Sequence, residues 1–202
     1  MPAIPRSRSR RRKWIAASAW AVAGLAALVA ASVAGPFIEA SRYSLKGKTV
    51  PADALAGQPG LVYALKRYEI GGSHYKWGQN DCSTFVTDYL RALARPAYPR
   101  LTTRDLYEPA AMQWNGFIQT NLAALKPGDI IVFRYTGRYH TLQGHTGIVV
   151  RHGNALYVVH NSLSHGGIQF EELGSFVERA NRIADKTPSG KMVRFFTSKG
   201  AT

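Results

Sequence analysis

Three residues able to do acyl chemistry together follow one another in a set order along this chain. The only cysteine, Cys82, closes the run Tyr75-Lys76-Trp77-Gly78-Gln79-Asn80-Asp81-Cys82, and Ser83-Thr84-Phe85-Val86 follows at once. His145 lies in GHTGIVV (144–150) and His160 in LYVVHNS (156–162). A thiolate beside an imidazole is a strong enough nucleophile to attack an amide. The imidazole takes the thiol proton and later returns it to the leaving amine. A third polar group fixes the tautomer of the base. Cys82 stands where a glycine-bearing turn segment gives way to an apolar helical pattern. Its thiol therefore meets the positive end of a helix dipole, which is expected to lower its pKa below that of a free cysteine. The N–H of Cys82 at the helix start is suited to stabilising an oxyanion. The competing reading is a buried, inert thiol, because free cysteines are among the most buried residues. With one cysteine there is no internal disulfide.

Several elements must position these groups. From Cys82 onward, Phe85, Val86, Tyr89, Leu90 and Leu93 fall on one helical face, and Cys82 shares it. Asp81 is a natural N-cap for that helix. A helix is predicted over Leu61 to Tyr68, and irregular chain with short helical stretches from Thr102 to Leu125. Strands are predicted for Asp129 to Tyr135, His145 to Arg151, Ala155 to Ser162, Ile168 to Glu171 and Met192 to Phe196, with a helix over Leu173 to Ile183. Helices first and an antiparallel sheet later make an α+β domain. Gly153-Asn154 suits a two-residue hairpin turn. Counting back from it, Gly147 faces His160 and His145 faces Ser162. Side chains alternate along a strand, so His145 and His160 share a face, one diagonal step apart. Asn161 points the other way, and a one-residue slip would exchange it with His160. The register favours His160 as the orienting group, with Asn161 the alternative.

The charge is uneven. The 26 basic residues exceed the 12 acidic ones by 14, and six of the basic residues crowd into 1–13 with no acid among them. The remainder still carries 20 basic against 12 acidic residues. Residues 14–34 hold no charge and, as a helix of ~1.5 Å rise per residue, would span ~31 Å, close to the hydrocarbon thickness of a bilayer. The reading is a basic cytoplasmic leader (1–13), a transmembrane signal anchor (14–34), a Gly- and Pro-punctuated linker (35–60) and a hydrolase domain (61–202). By the positive-inside rule that domain lies on the non-cytoplasmic side, which for a bacterial inner membrane is the periplasm. The competing reading is a cleaved signal peptide, since Ser32-Val33-Ala34 resembles a cleavage site before Gly35. Interspersed acids, and the lack of zinc-knuckle spacing or an RNA-recognition signature, argue against a nucleic-acid partner. The six histidines (His74, His140, His145, His152, His160 and His165) show no metal-ligand spacing, so neither metal nor cofactor is expected.

The segments YKWGQNDCSTFV, LKPGDIIVF and GHTGIVV together resemble the NlpC-like family of cell-wall cysteine peptidases. The resemblance runs from about Leu61 to Ser162. It implies a papain-like fold in which a catalytic cysteine at a helix N-terminus packs on an antiparallel sheet. It also implies hydrolysis of an amide in peptidoglycan stem or cross-link peptides, which would be the partner. By this resemblance Cys82 is the nucleophile, His145 the base and His160 the orienter. Tyr75 falls near the oxyanion position, and Asp81 and Ser83 where the family holds the substrate's amine end. The chain departs from the family in the short Gln79-Asn80 bridge, in Thr84 where a glycine is usual, and in the stretch after His160. These departures bear on specificity more than on chemistry. Two other classes share the residues or the fold: a thiol-dependent acyltransferase, which would keep all three groups, and a non-catalytic envelope-binding module, which would be marked by loss of Cys82 or His145.

Overall fold

A computed structural model describes residues 50–93, 99–136, 142–185 and 191–199. These lie in the second of two compact units into which the chain divides, Tyr43–Thr202. The predicted membrane span at 14–34 lies outside the described residues. Among the described residues no helix is long and apolar enough to cross a membrane.

The unit is α+β. Its helices are α1 (Ala52–Leu55), α2 (Pro59–Ile70), α3 (Cys82–Leu93), α4 (Thr103–Tyr107), α5 (Pro109–Trp114) and α6 (Leu173–Asp185). The strands are β1 (Phe117–Thr120), β2 (Ile130–Thr136), β3 (Leu142–His152), β4 (Ala155–Ser162), β5 (Gly167–Glu172) and β6 (Lys191–Ser198). They form one antiparallel sheet in the order β1-β6-β2-β3-β4-β5.

The unbroken apolar run Ile130-Ile131-Val132-Phe133 follows from burial on both sheet faces. Ile130, Val132, Ile148, Val150 and Val159 pack with Leu61, Phe85, Val86 and Leu90 of α2 and α3. The alternate residues Ile131, Phe133, Val149 and Val158 pack with Phe176, Val177 and Ala180 of α6. A strand covered on both sides has no face left for polar residues.

The structure extends the sequence reading in two places. Part of the stretch read as linker is folded: α1 buries Ala54, and Asp53 accepts hydrogen bonds from the His152 ring at 2.7 Å and the Gly153 amide at 3.2 Å. Pro59 opens α2, two residues before the predicted start, where a missing N–H does no harm. The irregular region also supplies the edge strand β1, paired with β6.

The β3–β4 hairpin has the expected register, with His152 opposite Ala155 and Ile148 opposite Val159. Gly153 takes the positive φ of 56° that the turn requires. Gly147 sits beside His160 for want of space: a Cβ there would lie 2.5 Å from Val158 Cγ1 and 3.0 Å from His160 Cβ. Gly147→Ala is therefore expected to destabilise the fold by about 1–3 kcal/mol and to push His160 out of line. Thermal unfolding checks the first effect, and the NMR resonances of the His160 ring check the second.

Candidate active site

Asp81 builds the start of α3. Its Oδ1 accepts from the Thr84 amide at 2.8 Å, the capping bond foreseen for it, and from the Ser83 and Thr84 hydroxyls at 2.8 and 3.0 Å. Its Oδ2 accepts from the Gly78 amide and from Arg100, each at 2.8 Å. Five donors fill the acceptor capacity of one carboxylate. Asp81 is thus committed to the helix end and to Arg100, and Ser83 is committed to Asp81. Both also line the groove beside Cys82, where the family resemblance implies that they hold a substrate's amine end.

Cys82 sits where the sheet opens. The β3–β4 ladder stops at Ile148 and Val159. Val149 exchanges its main-chain bonds with Gly128 and Asp129 on the β2 side. By strand alternation, the main-chain groups of Gly144 and Thr146 point toward β4. The Cys82 sulfur occupies that seam: its thiol donates to the Gly144 carbonyl at 4.0 Å, and the Thr146 amide donates to the sulfur. The nucleophile candidate therefore lies against the main chain on both sides of His145. The Tyr75 hydroxyl also bonds the sulfur, and burial raises its own pKa, with the Cys82 and Asp81 charges adding to the effect.

The thiol does not behave as its helix position suggests. Burial pushes its pKa up to about 12, and the Asp81 charge adds to the rise. Amides of Thr146, Ser83 and Cys82 itself pull the other way without winning. The expected lowering is overturned for two reasons. The sulfur is almost wholly enclosed, and the carboxylate capping α3 offsets the field of the helix end that would have held a thiolate. Iodoacetamide is therefore expected to alkylate Cys82 slowly at pH 7, the rate rising continuously to pH 9 and above. Fast alkylation already at pH 6.5 would mean a resting thiolate–imidazolium pair and would overturn this assignment.

His145 and His160 meet on the α6 face of the sheet. His145 Nε2 lies 2.8 Å from His160 Nδ1, and the rings stand edge to face with centroids 4.8 Å apart. Phe176 of α6 packs on both rings, at 5.9 Å from His145 and 5.1 Å from His160. Asn161 points to the opposite face and donates to the Asn80 carbonyl at 2.7 Å. Burial holds the pKa of His145 well below 6.5, with the His160 and Arg179 charges adding. Burial lowers His160 as well, opposed in part by its bond to Glu171.

Glu171 of β5 and Arg179 of α6 carry no signal in the sequence that marks them for this site. His160 Nε2 lies 3.1 Å from Glu171 Oε2, and Arg179 grips both carboxylate oxygens, at 3.2 and 2.5 Å. Burial alone would raise the Glu171 pKa, but the bonds from His160 and Arg179 overcome it and hold it at about 2. Glu171 is then ionised at neutral pH and can only accept. The proton of neutral His160 must sit on Nε2, leaving Nδ1 as an acceptor. His145 must in turn donate from Nε2, which leaves its Nδ1 as the basic nitrogen. One ionised carboxylate thus sets both tautomers through two hydrogen bonds.

A groove of about 230 Å³ opens beside the sulfur. Its walls include Tyr75, Trp77, Cys82, Arg104, Arg134 and Gly144. Among the described residues no group of three or more His, Cys, Asp or Glu side chains is arranged to hold a metal ion.

The CHAP domain family matches residues 70–161. No curated protein and no solved structure matches.

Proposed function

We propose that this chain, whose residues 70–161 match the CHAP domain family, a cysteine amidase domain found in peptidoglycan hydrolases, cleaves an amide in peptidoglycan stem or cross-link peptides. Cys82 is the nucleophile, His145 the general base and His160 the group that orients it, on a papain-like scaffold. The observation that carries this reading is the bond from His145 Nε2 to His160 Nδ1 at 2.8 Å, with the Cys82 sulfur against the main chain of the residues on either side of His145. It leaves His145 Nδ1 as the one ring nitrogen free to take a proton.

With the thiol raised and the imidazole lowered, the resting pair is neutral. The thiol proton passes to His145 Nδ1 as the sulfur attacks the carbonyl carbon. The oxyanion is met by the Cys82 amide and the Tyr75 hydroxyl. The leaving amine takes the proton from His145, and water, deprotonated by the same nitrogen, releases the acid from the thioester. His160 and Glu171 hold the ring without exchanging protons with the substrate.

The test is release of new amino groups from isolated cell-wall sacculi by the purified full chain. Transfer of the acyl group to an added amine, with none to water, would replace hydrolase by acyltransferase. Binding to sacculi without either reaction would leave a non-catalytic module.

The basic leader ahead of the uncharged 14–34 stretch supports an N-terminus in the cytoplasm and a catalytic unit in the periplasm. A reporter that works only after export, fused after Thr202, is expected to be active. Activity from a cytoplasm-only reporter instead would reverse the topology. Recovery of a soluble chain starting at Gly35 would mean cleavage rather than anchoring.

A further inference from the structure

The groove beside Cys82 is more basic than the amide chemistry requires. Three arginines border it, Arg100, Arg104 and Arg134, against one carboxylate, that of Asp81. Asp81 is already paired with Arg100 at 2.8 Å. The other two cations are left without that partner. Arg134 is the telling one. It is 8% exposed, and its Nε is buried with no hydrogen-bond partner among the described residues. Among the described residues it makes no ion pair. A buried guanidinium nitrogen with no acceptor among the described residues is costly, and an acceptor on a ligand in the groove would satisfy it. Nothing in the proposed reaction uses it.

Its place in the sheet puts it next to the chemistry. Arg134 of β2 pairs directly with Gly144 of β3. The carbonyl of that same Gly144 is the acceptor of the Cys82 thiol. A ligand group held by Arg134 therefore lies in the same groove as the Cys82 sulfur. Arg104, exposed on α4, borders the same groove and adds charge at its mouth.

We propose that Arg134, assisted by Arg104, forms a carboxylate-binding subsite that selects amides flanked by a free carboxylate. This rests on the hydrolase reading above and names its substrate class. The planar guanidinium fork matches a carboxylate with two parallel bonds, a match that an amide in the same place lacks. Stem peptides offer such a carboxylate, or its carboxamide, beside the cleavable bond.

The experiment uses the full chain carrying Cys82→Ala, so that binding is read without turnover. The probes are L-alanyl-γ-D-glutamyl-L-lysine and the same tripeptide with the glutamyl carboxylate converted to carboxamide. Calorimetry is expected to find the acid bound at least about ten-fold more tightly, the scale of a lost charged hydrogen bond. The preference should shrink to about two-fold or less in Arg134→Gln, and Arg134→Lys should restore part of it. If Arg134→Gln does not fold, Arg104→Gln, at an exposed position, carries the test and should reduce the preference by about half. Equal binding of acid and carboxamide, or no binding of either, overturns the proposal. So does inorganic phosphate that displaces the acid at lower concentration than acetate, which would assign the subsite to a phosphate group. In the active protein, Arg134→Gln should raise KM for the acid about ten-fold and leave kcat nearly unchanged. Selective acid binding without hydrolysis of any peptide would remove the hydrolase reading and leave the subsite standing.

Discussion

Replacing Cys82 with Ala is expected to abolish amide release from sacculi, by at least about a thousand-fold, while the protein keeps its fold. The sulfur belongs to the only thiol in the sequence, and the hydroxyls of Ser83, Thr102 and Thr103 that line the same groove are weaker nucleophiles. His145→Ala should cost a comparable factor, and the double variant little more than either alone, because nucleophile and base act as a unit. The pH dependence gives the sharper check. His145 works as a base only when neutral, and its pKa is held well below 6.5 by burial. Activity should therefore be present above pH 6.5 and fall only as the pH drops through that lowered value. The thiol, raised to about 12, need not ionise beforehand, so kcat/KM should show no second limb near pH 8.5. An acid limb at pH 7 or above, or a rise through pH 8.5, would mean that the protonation states are assigned the wrong way round.

The part of this site that is legible in the sequence is the part set by local rules. Cys82 is marked by the turn before it and the apolar period after it. The meeting of His145 and His160 follows from one two-residue turn and the alternation of strands, which needs no knowledge of the rest of the fold. Glu171 is a different case. On β5 it pairs with Val158 of β4, and its register is set by the connection from Leu163 to Gly166, which carries no comparable turn signature. Arg179 reaches it from α6, so the contact depends on how a helix packs across a sheet. The thiol pKa is not legible for a related reason. A helix end and a nearby imidazole are visible in sequence, but desolvation by the whole fold is not. Asp81 illustrates both sides: its capping bond to Thr84 is local and foreseeable, whereas its pairing with Arg100, which uses up the remaining oxygen, is not. The edge strand β1 has a short, half-exposed pattern that only its partner β6 makes into a strand.

His160→Ala is expected to lower kcat by about a hundred- to a thousand-fold with little change in KM, on the scale of losing a correctly held general base. The reason is the tautomer. Without His160 Nδ1 as acceptor, nothing holds the His145 proton on Nε2, and the ring is free to place it on the nitrogen that must receive the thiol proton. Glu171→Gln should have the same sign and a smaller size, about ten-fold, because the ring contact at 2.8 Å survives but its direction is no longer imposed by an ionised acceptor. Glu171 touches neither sulfur nor substrate, so it is a positioning residue, and loss of rate alone does not identify it as one. The distinguishing readout is ¹⁵N NMR of the two rings. The native protein should show His145 protonated at Nε2 and basic at Nδ1, and Glu171→Gln a mixture of tautomers. Asn161→Ala supplies the contrast. Its amide ties β4 to the Asn80 carbonyl just ahead of Cys82, so its loss should cost about 1 kcal/mol of stability. It should leave the tautomers of both rings unchanged. A larger drop in kcat for Asn161→Ala than for His160→Ala, with unchanged ¹⁵N signatures in the latter, would assign the orienting role to the other face of the strand.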